Sequence, residues 1–170
     1  MKYGIVIYPA KEVQDRVNAL RKRYDSHYNL IPPHITIKEA FDLEAGIEEV
    51  VNHLTAVTQD FPPFNLRINR IKSFSPTSPV LYLGIEENPE INKLYEQVNS
   101  GALKYQALYN FIPHITIAQD LTSQEISDIY SRLSLQQFDL SFLVDRIHLC
   151  YQMDNGSWSH YQTFLLNGSY

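Results

Sequence analysis

Tyr28-Asn29-Leu30-Ile31-Pro32-Pro33-His34-Ile35-Thr36-Ile37 and Tyr109-Asn110-Phe111-Ile112-Pro113-His114-Ile115-Thr116-Ile117 spell one pattern twice, Y-N-apolar-I-P-H-I-T-I, with one extra proline in the first copy. A repeated tetrapeptide alone is weak evidence of duplication. Four further matches upstream, and the equal place of each segment in its half of the chain, make coincidence untenable. The spacing of about eighty residues is too long for a solenoid repeat and suits two lobes.

Outward from these stretches the two halves read alike. Residues 2–8 form a buried strand, and 11–25 a helix with Val13, Val17, Leu20 and Tyr24 at helical spacing. Residues 34–38 are a strand behind the two prolines. A second helix covers 44–59, and 64–74 alternate as a strand before the turn-rich 75–79. The second half repeats this with a strand at 80–86, a helix at 89–100, a strand at 114–118 and a helix ending near Leu133. Thr122 and Glu125 form a capping box at the start of that last helix. Residues 138–151 and 158–166 read as two more strands joined by a turn at Asp154-Asn155-Gly156. The pattern gives one domain over 1–170, built from duplicated β-α-β-α-β halves, with lobes of about 1–75 and 76–170.

Bulk composition bounds the function. The 170 residues are 44% hydrophobic, enough for a sizeable core, and the formal net charge is −5. That charge argues against long duplex nucleic acid, which is held by Lys and Arg on phosphates, but leaves room for a small phosphate in a pocket. Cys150 is the lone cysteine, so no internal disulfide forms, and its apolar run marks it as a small buried hydrophobe. No leader or membrane-length apolar run is visible, so a soluble cytoplasmic protein without membrane partners is expected.

The chemistry follows from strand geometry. Residues two apart share a strand face, so Ile35 and Ile37 turn to the core while His34 and Thr36 point the other way together. The same holds for Ile115 and Ile117 against His114 and Thr116. Two lobes about an approximate two-fold axis bring these polar faces to one cleft. Two imidazoles on opposite sides of a phosphodiester can divide the work. One takes a proton from the attacking oxygen and the other gives one to the leaving oxygen. Both forms are accessible near neutrality, because imidazole titrates near pH ~6.5. The threonine hydroxyls can bond the phosphoryl oxygens, and the scheme needs no metal or cofactor.

The paired His-x-Thr motifs, apolar-flanked and half a chain apart, resemble the signature of the two-histidine (2H) phosphoesterases, which include the 2′-5′ RNA ligase-like proteins and cyclic nucleotide phosphodiesterases. Within that superfamily the whole chain resembles the small YjcG-type phosphoesterases of Bacillus relatives. The resemblance implies a bilobal α+β fold with a cleft between two antiparallel sheets, with His34 and His114 catalytic and Thr36 and Thr116 binding phosphate. It implies a 2′,3′-cyclic phosphate, a 2′-5′ linkage or an RNA end as substrate. Two alternatives stand beside this enzyme: a module that binds a nucleotide or RNA end without turnover, and a metal-dependent hydrolase.

Other residues carry blander readings. His27, His53, His148 and His160 lack metal-ligand spacing and read as surface or structural. Lys38 alternates onto the side of His34 and Thr36, where solvation is the default and a phosphate the alternative. Tyr28 and Tyr109 hold matching places, closing the apolar edge of each lobe or stacking on a base. Arg67, Arg70 and Lys72 read as a solvated strand face, with a basic rim as the alternative. Substrate specificity is expected in the loops around 38–46, 72–79 and 118–122.

Overall fold

The computed structural model describes residues 1–43 and 46–169. In chain order the elements are β1 (Lys2–Ile7), α1 (Lys11–Tyr24), β2 (Ile35–Asp42), α2 (Ile47–Gln59) and β3 (Phe64–Ser73). There follow β4 (Leu81–Ile85), α3 (Pro89–Val98), a 3-10 turn (Gly101–Leu103), β5 (His114–Ala118), α4 (Ser123–Leu133), β6 (Leu140–Val144), β7 (Arg146–Gln152) and β8 (Trp158–Leu165). The β-α-β-α-β order thus occurs twice. The expected helix start at 44 and 45 lies outside the described residues.

Local chemistry explains the boundaries. α3 begins where the Asn88 side chain accepts bonds from the Glu90 and Ile91 amides, with Pro89 in the first turn. The Thr122–Glu125 capping box is formed at α4. α1, α3 and α4 each bury one stripe: Val13, Val17 and Leu20; Ile91, Leu94 and Val98; Ile126, Ile129 and Leu133. The β7–β8 hairpin turns through Gly156, whose φ of 88° is unfavourable for any residue with a Cβ.

The strands form two antiparallel sheets, ordered β2-β1-β7-β8 and β5-β4-β3-β6. Each HITI strand lies at an edge beside a buried strand, β1 or β4. Ile35, Ile37, Ile115 and Ile117 are all buried in a core that is continuous through both halves.

The sheets do not follow the contiguous split at 75/76. β3 belongs to the second sheet, because the short turn 74–80 folds it back on β4 as a hairpin. The expected strand 138–151 is divided at Asp145, and its two parts belong to different sheets. Burial explains the break. Phe142 and Val144 point inward on even positions, Ile147 and Leu149 on odd ones, so the face changes at Asp145. β7 then returns to the first sheet and pairs with β1.

The halves are laced together near the HITI strands. α1 packs against β5, α3 packs against β2, and β2 also touches β5. Where α1 ends, Asp25 bridges to Gln119 just past β5. Two edge strands held this close put both motifs at one seam.

Candidate active site

His34 sits one residue before β2 and His114 is the first residue of β5. Both rings are fixed by the same local device. The His34 Nδ1 lies 2.8 Å from the Pro32 carbonyl oxygen, and the His114 Nδ1 lies 2.6 Å from that of Ile112. A carbonyl only accepts, so each Nδ1 carries the hydrogen and donates it. Each Nε2 is then left with its lone pair free for proton transfer. Thr36 and Thr116, two residues on, are half-buried like the histidines. The imidazoles are close enough that His114 depresses the pKa of His34.

Burial favours the neutral form of both rings, against different opposing groups. Burial pushes His34 down to about 4; the Pro32 carbonyl opposes it, Arg21 and His114 add to the depression, and Asp25 works against it. Burial also lowers His114, against the Ile112 carbonyl and the Glu39 carboxylate, which both favour its protonated form.

The walls behind them differ. Behind His34, Arg21 and Asp25 form a buried ion pair at 2.9 Å, each side chain 2% exposed. The Arg21 guanidinium also donates to the Ile31 carbonyl at 2.7 Å and to Asn18, and Asp25 accepts from the Gln119 amide at 2.8 Å. His114 instead meets two aromatic edges, Phe74 at 5.0 Å and Tyr82 at 5.1 Å between ring centroids, with Phe74 and Tyr82 stacked on each other.

Matched irregularities in the two edge strands re-aim the residues after the motif. Val6 pairs with Thr36 but Ile5 with Lys38; Tyr82 pairs with Thr116 but Leu81 with Ala118. One residue is skipped in each, Ile37 and Ile117, as in a β-bulge. The expected alternation therefore fails at Lys38. It is 6% exposed, neither solvated nor reaching the cleft. Its Nζ donates to Asn99 Oδ1 and the Leu103 carbonyl, both at 3.2 Å, and stands 3.8 Å from the centroid of Tyr105. Glu39 lines the cleft in its place.

A cleft of about 690 Å³ opens here, walled by Thr36 and Glu39 from β2, His114 from β5, Phe74, and the segment from Tyr105 to Ile112. That last wall was absent from the loops expected to set specificity, and the repeated Tyr-Asn-apolar-Ile stretch was its signal. A second hollow of about 410 Å³, between α2 and β8, has no titratable side chain in its wall.

The remaining candidates separate cleanly. Tyr109 is 79% exposed and closes no apolar edge, which corrects that reading; Tyr28 lies under the Arg21 guanidinium. His27 approaches Asp120, His53 bonds the Val98 carbonyl, and His148 and His160 share the Thr163 hydroxyl. Cys150 is buried against the Tyr8 hydroxyl. Among the described residues no three His, Cys, Asp or Glu side chains gather as metal ligands, and no helix is long and apolar enough to cross a membrane.

A family model described as the 2′-5′ RNA ligase superfamily matches residues 9–156. A Geobacillus kaustophilus protein designated a phosphoesterase is 46% identical over 169 residues, spanning 99% of this chain and 98% of its own. One from Oceanobacillus iheyensis is 46% identical over 167 residues, 98% of each chain. Among solved structures, a Thermus thermophilus protein superposes with TM-score 0.75 at 16% identity over the whole of both chains. LigT of E. coli in complex with 3′-AMP gives 0.68 at 16% identity over 97% of each. At that identity these structures speak for the fold, two four-stranded antiparallel sheets with their helices.

Proposed function

The chain belongs to the 2′-5′ RNA ligase superfamily of phosphoesterases, and from that membership we propose that it hydrolyses a cyclic phosphate or phosphodiester, such as a 2′,3′-cyclic nucleotide or RNA end, by metal-independent acid–base catalysis between His34 and His114. The observation that carries this reading is the matched pair of Nδ1-to-carbonyl bonds, at 2.8 and 2.6 Å, which leave both Nε2 atoms free, each on a histidine two residues before a half-buried threonine.

In this mechanism His34 is the base. Its low pKa keeps it neutral, and it takes a proton from the water that attacks phosphorus. His114, whose protonated form Glu39 favours, gives its Nε2 proton to the ribose oxygen as the ester bond breaks. One P–O bond forms, one breaks, and a phosphate monoester results. Thr36 and Thr116 donate to the non-bridging oxygens as their charge grows. LigT bound to 3′-AMP and to phosphate supports a nucleotide phosphate as the substrate class.

The test is turnover of 2′,3′-cyclic nucleotides in excess EDTA. Hydrolysis undiminished by the chelator is expected, and the phosphate isomer of the product identifies the leaving oxygen. Turnover that EDTA abolishes would overturn the metal-independent mechanism.

A further inference from the structure

Two rows cross the second sheet from the motif strand. His114 pairs with Gly84 and Gly84 with Arg70; Thr116 pairs with Tyr82 and Tyr82 with Lys72. Directly paired residues in an antiparallel sheet share a face. Arg70 and Lys72 therefore rise on the same face as His114 and Thr116, two strands away, or ~10 Å between backbones.

Gly84 shapes this face. A Cβ there would come within 2.8 Å of the Arg70 Cγ and 2.9 Å of its Nε, so the arginine side chain lies across the glycine toward the motif strand. The guanidinium bonds the Ile85 carbonyl at 3.1 Å and the Asn69 side chain at 3.2 Å, which leaves further N–H groups to donate. Among the described residues neither Arg70 nor Lys72 pairs with a carboxylate, whereas Arg67 on the same strand is held by Asp139 and Glu86. In a chain of net charge −5, two cations without acidic partners beside the motif are a local reversal of sign.

The first sheet offers no equivalent. Ile7 faces Ile35 as Leu83 faces Ile115, so Tyr8 holds the place of Gly84. Its ring packs at a tilt, 4.9 Å between centroids, on His148, which holds the place of Lys72 across Val6, and the nearby Arg146 is tied to Asp145.

We propose that Arg70 and Lys72 form an anion subsite that takes a second phosphate of the substrate, beside the one reacting between the histidines. This rests on the acid–base reading above and narrows it: the favoured substrate carries a phosphate on the 5′ side of the nucleoside whose cyclic phosphate is opened. That phosphate is either an internucleotide diester or a 5′-terminal monoester.

The experiment compares kcat/KM for adenosine 2′,3′-cyclic phosphate, its 5′-phosphorylated form, and the ApA dinucleotide ending in the same cyclic phosphate. Wild type is expected to favour a substrate with the extra phosphate by roughly tenfold at low salt, fading as salt rises. In the Arg70→Ala/Lys72→Ala variant the ratio should fall to near one. Preference for the dinucleotide alone assigns the subsite to an internucleotide diester; equal gain for the 5′-phosphate assigns it to any phosphate there. No preference in wild type, or one that survives the double substitution, overturns the subsite. If wild type turns over none of the three, the catalytic reading is what fails. The subsite is then read from binding of 3′-phosphorylated ApA against 3′-AMP by the same two proteins, where equal affinities in wild type would refute it.

Discussion

Around His34 the protein is ionic and closed: a buried Arg21–Asp25 pair stands behind the ring, and Tyr8 fills the neighbouring row against His148. Around His114 it is aromatic and open: Phe74 and Tyr82 edge the ring, and Gly84 leaves room for the Arg70 side chain. The two motifs share their sequence, their clamp on an upstream carbonyl and their bulge. What separates them lies outside the motif. Duplication gives two equivalent imidazoles, and their surroundings set them apart; the proposed mechanism uses that difference to make one the base and the other the acid.

The comparison can be broken at the motif itself. His34→Ala and His114→Ala should each lower kcat/KM on a cyclic nucleotide by ~10²–10⁴-fold, the usual worth of a positioned acid or base. A large loss from one and little from the other would show that only one lobe is chemically active.

Next in size is the ionic wall. Arg21→Met strands Asp25 in the interior, and loss of one partner of a buried pair costs about 3–5 kcal/mol, read from urea unfolding. Phe74, behind the other histidine, has no charge to strand, so Phe74→Leu should cost under about 1.5 kcal/mol. Equal costs would remove the asymmetry.

Thr36→Val and Thr116→Val preserve shape and delete one donor each. Each should reduce kcat by about 10²-fold with little change in KM if the hydroxyls act mainly on transition-state charge. A rise in KM alone would move them to ground-state binding.

The smallest effect sharpens the acid–base assignment. His34 near 4 stays neutral through most of the acid range, so activity rises as pH climbs through that value. It falls again as His114 loses its proton, below the ordinary imidazole value of 6.5 because burial lowers it. Glu39 raises the His114 pKa, so Glu39→Gln should move the alkaline limb of kcat/KM to lower pH and leave the acid limb in place. Movement of the acid limb instead would exchange the two roles.

Much of this was legible in the sequence. The repeated stretch announced two strands, each with His and Thr on one face, and the cap at Thr122 and the turn at Gly156 behaved as their chemistry dictates. The exchange of strands at Asp145 left only a faint mark, the shift of buried positions from Phe142 and Val144 to Ile147 and Leu149. Lys38 was misplaced because a bulge leaves no trace in an Ile-Lys-Glu run: its cause is the pairing with β1. Arg21 carried a hint in Asp25 four residues on, yet that spacing ordinarily marks a pair on a wet helix face. Arg70 and Lys72 became informative only once the register set them in line with the motif across Gly84 and Tyr82.

The central claim is that the two histidines act as one unit, and the double variant tests it most directly. With both single variants and the double variant folded, as circular dichroism can show, kcat/KM on a 2′,3′-cyclic nucleotide in EDTA should be no lower for His34→Ala/His114→Ala than for the worse single variant. Groups that serve one proton circuit lose most of their effect together. Losses that multiply would contradict the account, since each histidine would then contribute on its own.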